Sequence, residues 1–409
     1  MSLATTKAIA LSGIKGEVVT VEVDIADGLP GYSLLGLPDA ALNESRDRVR
    51  AALVNSGQGW PNRKVTISLL PAWLPKSGSA FDLPIAMGIL AASEVVRGTE
   101  EMLFIGELSL EGNIRQTRGV LPSLICAYQN GIKQAVIPAA NLAEAKLIPE
   151  LKVFAFERLV DIIHWLHTGE LIDQPELDLK LDNSEHQLDF ADVAGQVMAR
   201  RAAEIAAAGG HNFLMIGPPG VGKTMIAERL PSILPPLSKS EALEVTAIHS
   251  ITNSDRAPLS EYAPFISPHH STTRIAMVGG GAHVIKPGVC SLAHRGVLFI
   301  DEAPECSGGV LDSLRQPLES GSITISRANG NLTFPAKFIL VLAANPCPCG
   351  KFSGKGRGCT CSSLQIRRYL NKLSGPLLDR MDLRVTVENV GRLELAEQNN
   401  ESSAQIRAR

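Results

Sequence analysis

Aromatic side chains are few, only 4% of 409 residues, which argues against a broad stacking platform for unpaired bases. No apolar run approaches the roughly 20 residues a membrane helix needs; the longest candidate, Leu83–Ala92, is about half that. The first residues, MSLATTKAIALSGIKGE, hold one short apolar run before Lys15, so no secretory signal is expected. Neither sign of charge dominates. Lys and Arg number 39 against 42 Asp and Glu, a net charge of −3, so any contact with nucleic acid must be local. Seven cysteines, an odd number in a chain without a signal, point to reduced thiols rather than a disulfide framework. A cytoplasmic protein with no membrane contact is expected. What is present is ordinary for a globular chain: 45% hydrophobic and 20% charged residues. At about 150 residues per domain, the length allows two or three domains.

Residues 17–165 alternate short strand-like and helix-like segments. Glu17–Ile25 and Lys64–Leu70 are rich in β-branched residues and predict strands, while 39–55 and 83–93 carry helical spacing. Glu111-Gly112-Asn113 predicts a hairpin turn between Leu103–Leu110 and Ile114 onward. Seven acids against one lysine between Gly169 and Asp189 then read as a solvated linker. The division is therefore 1–168, an acidic linker at 169–189, and a second α/β unit at 190–395. That unit is expected to hold a helix at Ala199–Ala208, a strand at Asn212–Ile216, a helix at Thr224–Leu230, a strand at Ala336–Ala344 and Asp379–Glu388. Residues 396–409 read as the start of a further helix.

Gly217-Pro218-Pro219-Gly220-Val221-Gly222-Lys223-Thr224 satisfies G-x-x-x-x-G-K-[ST] in full, between an apolar run and a helix. Glycines let backbone N–H groups converge on phosphate oxygens, and the helix N-terminus adds partial positive charge. Lys223 can neutralise the terminal phosphates of ATP, and the Thr224 hydroxyl can ligate Mg²⁺. A second apolar strand, Gly296–Ile300, ends in Asp301-Glu302. An acid there is costly unless it serves a metal or a water. Asp301 is assigned to the Mg²⁺ shell and Glu302 to polarising the attacking water. A third strand, Phe338–Ala344, ends in Asn345, a neutral group able to orient that water. Either strand end alone also admits the lesser reading of a loop cap; together with the phosphate loop they define an ATPase core.

Cys347-x-Cys349 and Cys359-x-Cys361, within segment 346–362, place two thiol pairs nine residues apart. Such pairs can close a tetrahedral, structural Zn²⁺ site, although C-x-C is less common than C-x₂-C. The other reading is a basic loop with free thiols. No acid occurs from Ala343 to Gly375, whereas Lys351, Lys355, Arg357, Arg367, Arg368 and Lys372 do, and these can meet a phosphate backbone. Cys126, Cys290 and Cys306 are scattered and read as inert thiols. Five of nine histidines, His249, His269, His270, His283 and His294, cluster in 249–294 beside Gly279-Gly280-Gly281. Hairpin turns and polar contacts account for them better than a metal.

The stretches AGGHNFLMIGPPGVGKTMIAERLPSILPP, SPHHSTTRIAMVGGG, HRGVLFIDEAPE, LRQPLESGSITISRA, AANPCPCG and LSGPLLDRMDLRV resemble the magnesium-chelatase-like AAA+ ATPases, in particular the ComM/YifB family, over nearly the whole chain. The resemblance implies a P-loop αβα domain with hairpin insertions and a homo-oligomeric ring, most simply a hexamer. It makes Asp301 and Glu302 the Walker B pair, Asn345 sensor 1, and the 249–294 region hairpins that project toward a pore. Arg380, which alone reads as a surface partner of Asp379 or Asp382, looks like an arginine finger that reaches a neighbour's ATP. Family members continue into a helical lid with a second sensing arginine. The chain stops short of it, so weak hydrolysis is expected.

PKSGSAFDLPIAM from Pro75, GELSLEG to Gly112 and NGIKQAVIP from Asn130 are similar to the Lon protease domain, an α+β fold of the ribosomal S5 domain 2 type. Alignment puts Ala80 in the place of the Ser nucleophile and Leu121 in the place of the Lys base. Neither can carry out acyl transfer, and neither Ser77 nor Ser79 has an evident Lys partner. The resemblance therefore implies a non-proteolytic unit. The function expected is an ATP-hydrolysing ring motor on single-stranded and branched DNA, promoting branch migration during transformation and recombination. Alternatives are a chelatase-type ATPase that remodels a protein partner, and a module that uses ATP as an assembly switch.

Overall fold

The computed structural model describes residues 2–171, 188–252, 261–281, 285–327, 330–352, 358–391 and 400–409. Most of the expected acidic linker, along with His283, Lys355 and Arg357, lies outside the described residues. The chain divides into two compact units, Met1–Leu181 with His249–Leu259, and Asp182–Ile248 with Ser260–Arg409. The sequence division puts His249–Leu259 in the second unit. It belongs with the first because the Ser250 carbonyl accepts from the Gly119 N–H at 3.1 Å and its hydroxyl donates to Glu144 at 2.5 Å. Asp189 is not linker. Its carboxylate accepts from the Ala191 and Ser403 amides at 2.7 and 2.8 Å, which ties it into the second unit.

The first unit is built on a mixed seven-stranded sheet in the order β3-β4-β2-β1-β5-β8-β9. Its strands are β1 (Ser2–Ser12), β2 (Lys15–Ala26), β3 (Gly31–Leu35), β4 (Lys64–Leu70), β5 (Met102–Phe104), β8 (Gln134–Pro138) and β9 (Lys152–Phe156). A separate hairpin, β6 (Glu107–Leu108) with β7 (Ile114–Arg115), brackets the turn expected at 111–113. Strands β1 and β2 pair antiparallel along their whole length, from Ser2↔Ile25 to Ser12↔Lys15. Val19, Val21, Val23 and Ile25 alternate into the core with the period of two that a half-covered sheet requires. Helix α1 (Ser45–Asn55) and helix α2 (Asp82–Ala92) cover that face, and α2 is buried almost all round. The longest apolar run of the sequence is thus a core helix. Helices α3 (Val120–Gln129) and α4 (Leu159–Thr168) complete the unit.

The second unit carries a five-stranded sheet in the order β11-β14-β17-β10-β18, parallel at every pairing. Its strands are β10 (Phe213–Ile216), β11 (Phe265–Ile266), β14 (Val297–Ile300), β17 (Ile339–Ala344) and β18 (Leu383–Thr386). VLFI and ILVLAA are buried at every residue, as expected of central parallel strands covered on both faces. Helix α5 (Val197–Gly209) and helix α6 (Lys223–Ile233) cover one face, where Ala203, Ala206 and Ile226 meet Phe213, Phe299 and Val341. On the other face Leu214, Leu298, Leu340 and Leu342 pack with Leu314 and Leu377. Each fully buried Leu or Phe contributes about 1.5–3 kcal/mol. Two antiparallel hairpins are inserted in this unit: β12 (Gly279–Gly280) with β13 (Lys286–Pro287), and β15 (Ser322–Arg327) with β16 (Gly330–Pro335). No helix among the described residues is long and apolar enough to cross a membrane.

Candidate active site

In a parallel sheet every strand delivers the residue after it to the same edge, with neighbouring strands about 4.8 Å apart. Here Ile216, Ala344 and Ile300 lead into Gly217, Asn345 and Asp301 at that edge, and Ile266 leads into Ser267. The register is held beyond the strands: the Gly217 N–H donates to the Ala344 carbonyl at 3.1 Å, and the Val387 N–H to the Ile216 carbonyl at 2.8 Å. A Cβ at position 217 would fall 2.2 Å from the Val387 carbonyl oxygen, so only glycine lets the loop leave the sheet here. Gly220 and Gly222 take left-handed φ angles of 79° and 93°, which turn the loop into the first turn of α6.

Lys223 is buried, and its Nζ donates to the Gly217 carbonyl at 2.6 Å, the Pro218 carbonyl at 2.9 Å and Asn345 Oδ1 at 3.2 Å. Burial lowers its pKa; the nearby Asp301 and Glu302 carboxylates oppose that shift. The Thr224 hydroxyl donates to Asp301 Oδ2 at 2.9 Å, and the Glu302 N–H donates to Asp301 Oδ1 at 2.8 Å. A hydroxyl and a carboxylate in contact are the hard oxygen donors that suit Mg²⁺, and the loop ahead of α6 suits the phosphates of ATP. Glu302 itself adopts φ 48° and ψ 42°, a left-handed conformation costing a non-glycine residue on the order of 1 kcal/mol. The sheet edge thus brings together the loop, Lys223, Thr224, Asp301 and Asn345. The direct contact of Lys223 with Asn345 is not visible in spacing, because 122 residues separate the two.

Residues 189–395 match the family model described as magnesium chelatase, subunit ChlI, and residues 21–141 match one described as subunit ChlI of Mg-chelatase. The competence protein ComM of Haemophilus influenzae is 43% identical across the whole chain, which covers 81% of that relative. The YifB protein of Salmonella typhimurium is 44% identical over the whole chain and 81% of its own length. An uncharacterised protein of Mycobacterium tuberculosis is 47% identical, with 82% of it covered. The chain belongs to the ComM/YifB family of magnesium-chelatase-like AAA+ ATPases. The 38 kDa subunit of magnesium chelatase from Cereibacter sphaeroides is more distant, 25% identical over 38% of the chain.

Within that family reading, Arg380 lies apart from the loop. Leu383 pairs with Phe213 at the amino ends of β18 and β10, and Gly217 follows their carboxyl ends. Four strand residues, about 13 Å, therefore separate the two levels. The Arg380 guanidinium pairs with Glu319 in helix α7 (Arg315–Ser320), and not with Asp379 or Asp382. Asp382 instead accepts the Asn212 N–H at 2.8 Å.

The four cysteines converge. Their Sγ atoms all lie within 4.8 Å of one another, with Cys347–Cys349, Cys349–Cys359 and Cys347–Cys359 at 3.3, 3.6 and 3.7 Å. The Lys351 N–H, and after it the Cys347 thiol, lower the pKa of Cys349, whereas that of its neighbour Cys359 is raised, against the Cys361 N–H, by desolvation and the Cys349 and Cys347 thiols. Four sulfurs so placed suit a soft tetrahedral cation such as Zn²⁺. Lys351, Arg367 and Arg368 are exposed and have no carboxylate partner among the described residues, whereas Lys372 lies 3.7 Å from Glu305.

Ser267, Pro268, His269 and His270 line a cavity of about 390 Å³ with Asp301 and Glu302. The two imidazoles face each other at 4.0 Å, and His269 Nδ1 shares a hydrogen bond with the Ser271 hydroxyl at 2.7 Å. The SPHHS stretch therefore lies beside the acid pair, a position its place directly after β11 would have indicated.

In the first unit Ala80 sits in the single turn Ser79–Phe81, and Leu121 is fully buried in α3. The Ser79 hydroxyl donates to Glu107. Lys76 is completely buried, and its Nζ donates to the Leu69 carbonyl at 2.9 Å and to that of Pro71. No hydroxyl is paired with a lysine at this place among the described residues.

Proposed function

We propose that this chain is the ATP-hydrolysing subunit of a cytoplasmic, homo-oligomeric ring motor acting on single-stranded and branched DNA, with branch migration as its output. The observation that carries the ATPase reading is the convergence of Lys223, Thr224, Asp301 and Asn345 at one sheet edge. Lys223 and the loop amides would hold the phosphates, and Thr224 with Asp301 would hold Mg²⁺, which supplies charge neutralisation. Glu302 would take up the proton of the attacking water, and Asn345 would orient that water. Arg380, at the other end of the sheet, would serve the ATP of the next subunit, a role worth about 10³–10⁵ in rate. The site would then be complete only in a ring, with six copies the simplest closed form.

DNA is favoured by the competence name of a relative that matches the whole of this chain and by the cations Lys351, Arg367 and Arg368, which have no carboxylate partner among the described residues. We further propose that Cys347, Cys349, Cys359 and Cys361 hold structural Zn²⁺, and that the first unit is a Lon-like domain without proteolysis. Ala80, Leu121 and the carbonyl-bound Lys76 support the latter. A second reading, remodelling of a protein partner, is favoured by the similarity to magnesium-chelatase subunits.

The test is ATP hydrolysis with and without single-stranded and branched DNA across a salt series, with Lys223→Ala as control. Phosphate contacts predict stimulation that falls steeply as salt rises. ATP turnover that ignores DNA at every salt concentration would move the reading to the protein partner.

A further inference from the structure

The cysteine cluster and the phosphate loop touch. Gly350, one residue past Cys349, takes φ +74°, and a Cβ there would lie 2.7 Å from Pro219 Cδ. The turn that makes this contact is closed by the Gly350 N–H donating to the Cys347 carbonyl at 2.9 Å. On its other side Cys347 is two residues beyond Asn345, whose side chain accepts from Lys223. The second thiol pair leads directly into helix α8 (Ser363–Leu370), capped by Ser362. That helix carries the buried Tyr369. The four thiols therefore close a loop that starts two residues beyond Asn345 and whose first turn rests on Pro219.

The sulfur geometry is that of a metal site. A tetrahedron with Zn–S bonds of about 2.3 Å has S···S edges of about 3.8 Å. The three separations of 3.3–3.7 Å approach that value and are far longer than the roughly 2.05 Å of a disulfide.

We propose that zinc in this cluster acts as a clamp on the nucleotide site, holding the Cys347–Gly350 turn against Pro219 and Asn345 against Lys223, so that ATP affinity depends on metal occupancy. The proposal rests on the zinc and ATP readings given above. Without a metal, only weak thiol hydrogen bonds such as Cys349 to Cys359 at 3.6 Å join the pairs, and the turn loses the strong closure that presses it on the loop. Linkage makes the effect reciprocal: whatever factor zinc adds to ATP affinity, ATP must add to zinc affinity.

The experiment uses the full chain purified without chelator under reducing conditions. Zinc content is measured, the metal is stripped and restored, and the Kd of a fluorescent ATP analogue is read in Mg²⁺ at each stage. One zinc per chain, at least tenfold weaker nucleotide binding after stripping, and recovery on reloading are expected. ATP should slow zinc transfer to a chromogenic chelator by a matching factor. Because stripped protein can unfold locally, Gly350→Ala provides a second arm. It leaves all four thiols in place, so it should keep one zinc while binding nucleotide several-fold more weakly, and Gly358→Ala, which also has positive φ but no neighbour within 4 Å among the described residues, should leave nucleotide binding unchanged. Unchanged nucleotide affinity in both the stripped chain and Gly350→Ala would overturn the clamp while leaving the zinc site standing. A chain that takes up no zinc would overturn the metal reading and the clamp with it. A zinc-loaded chain that binds no ATP would instead remove the nucleotide-site reading, and with it the clamp.

Discussion

Gly217→Ala is the most direct test of how the phosphate loop is seated. A Cβ at 217 meets the Val387 carbonyl oxygen at 2.2 Å and the Val387 Cβ at 3.1 Å. A carbon–oxygen contact relaxes to a little over 3 Å, so the loop and the end of β18 must separate by about 1 Å. Neither moves freely. The Val387 N–H is bonded to the Ile216 carbonyl at 2.8 Å, Val387 is fully buried, and Gly217 is bonded to Ala344 on the other side. Overpacking of this kind costs about 1–3 kcal/mol, which lowers the unfolding midpoint of a unit this size by roughly 2–10 °C. Displacement by 1 Å at a phosphate cradle should also weaken nucleotide binding by up to about 10²-fold. Gly220→Ala is the matched control, with φ 79° and nothing within 4 Å of the added carbon. In the melting measurement it carries only the left-handed penalty of about 1 kcal/mol. Calorimetry and titration with a fluorescent ATP analogue read both variants. If Gly217→Ala melted no lower than Gly220→Ala and bound nucleotide like the parent, the close approach of β18 to the loop would be wrong.

Glu302→Gln should bind ATP with parental affinity and turn it over about 10²–10⁴-fold more slowly; parental turnover would remove Glu302 from the water-activating role. Arg380→Ala should fold and bind nucleotide normally while losing activity only on assembly. Parental turnover in rings containing the variant would return Arg380 to its ion pair with Glu319. Asp82 is fully buried, and burial raises its pKa to about 6, although Arg48 (bonded to it at 2.7 Å), the Leu108 N–H and the charge of Arg48 lower it. The folded value exceeds the unfolded one, so its contribution to stability is full below pH ~4 and is lost as pH rises through 6, at about 1.4 kcal/mol per pH unit. The stability of the parent relative to Asp82→Asn in urea titrations should therefore fall as pH rises over that window, and parallel curves would contradict the raised value.

Much of the second unit was legible because its signals are local. GPPGVGKT announces a loop by its own glycines, and VLFI followed by two acids announces a buried strand with a functional end. What local patterning cannot carry is pairing across distance. The Lys223–Asn345 bond and the contact of Gly350 with Pro219 join residues more than a hundred positions apart. Strand edges were less legible than strand existence. Strand β17 begins at Ile339, not Ala336, because Ala336 and Lys337 bond across to Gly321 and His294 before the ladder starts. Strand β1 was not legible at all. The run ATTKAIALS mixes small and polar residues, and only pairing with β2 and β5 on either side makes it a strand.

That strand has a practical consequence. Here residues 2–12 run through the interior of a seven-stranded sheet, hydrogen-bonded to β2 along one side and to β5 at Lys7↔Leu103 on the other. Removing residues 2–12 would not shave an edge; it would split the sheet into β3-β4-β2 and β5-β8-β9 and leave two new open edges ready to pair with other copies. The order of synthesis matters for the same reason. The β1–β2 hairpin can close as soon as it is made, whereas its far side stays unpaired until about 76 further residues have followed, from Ala26 to Met102, an interval in which that edge is exposed to aggregation.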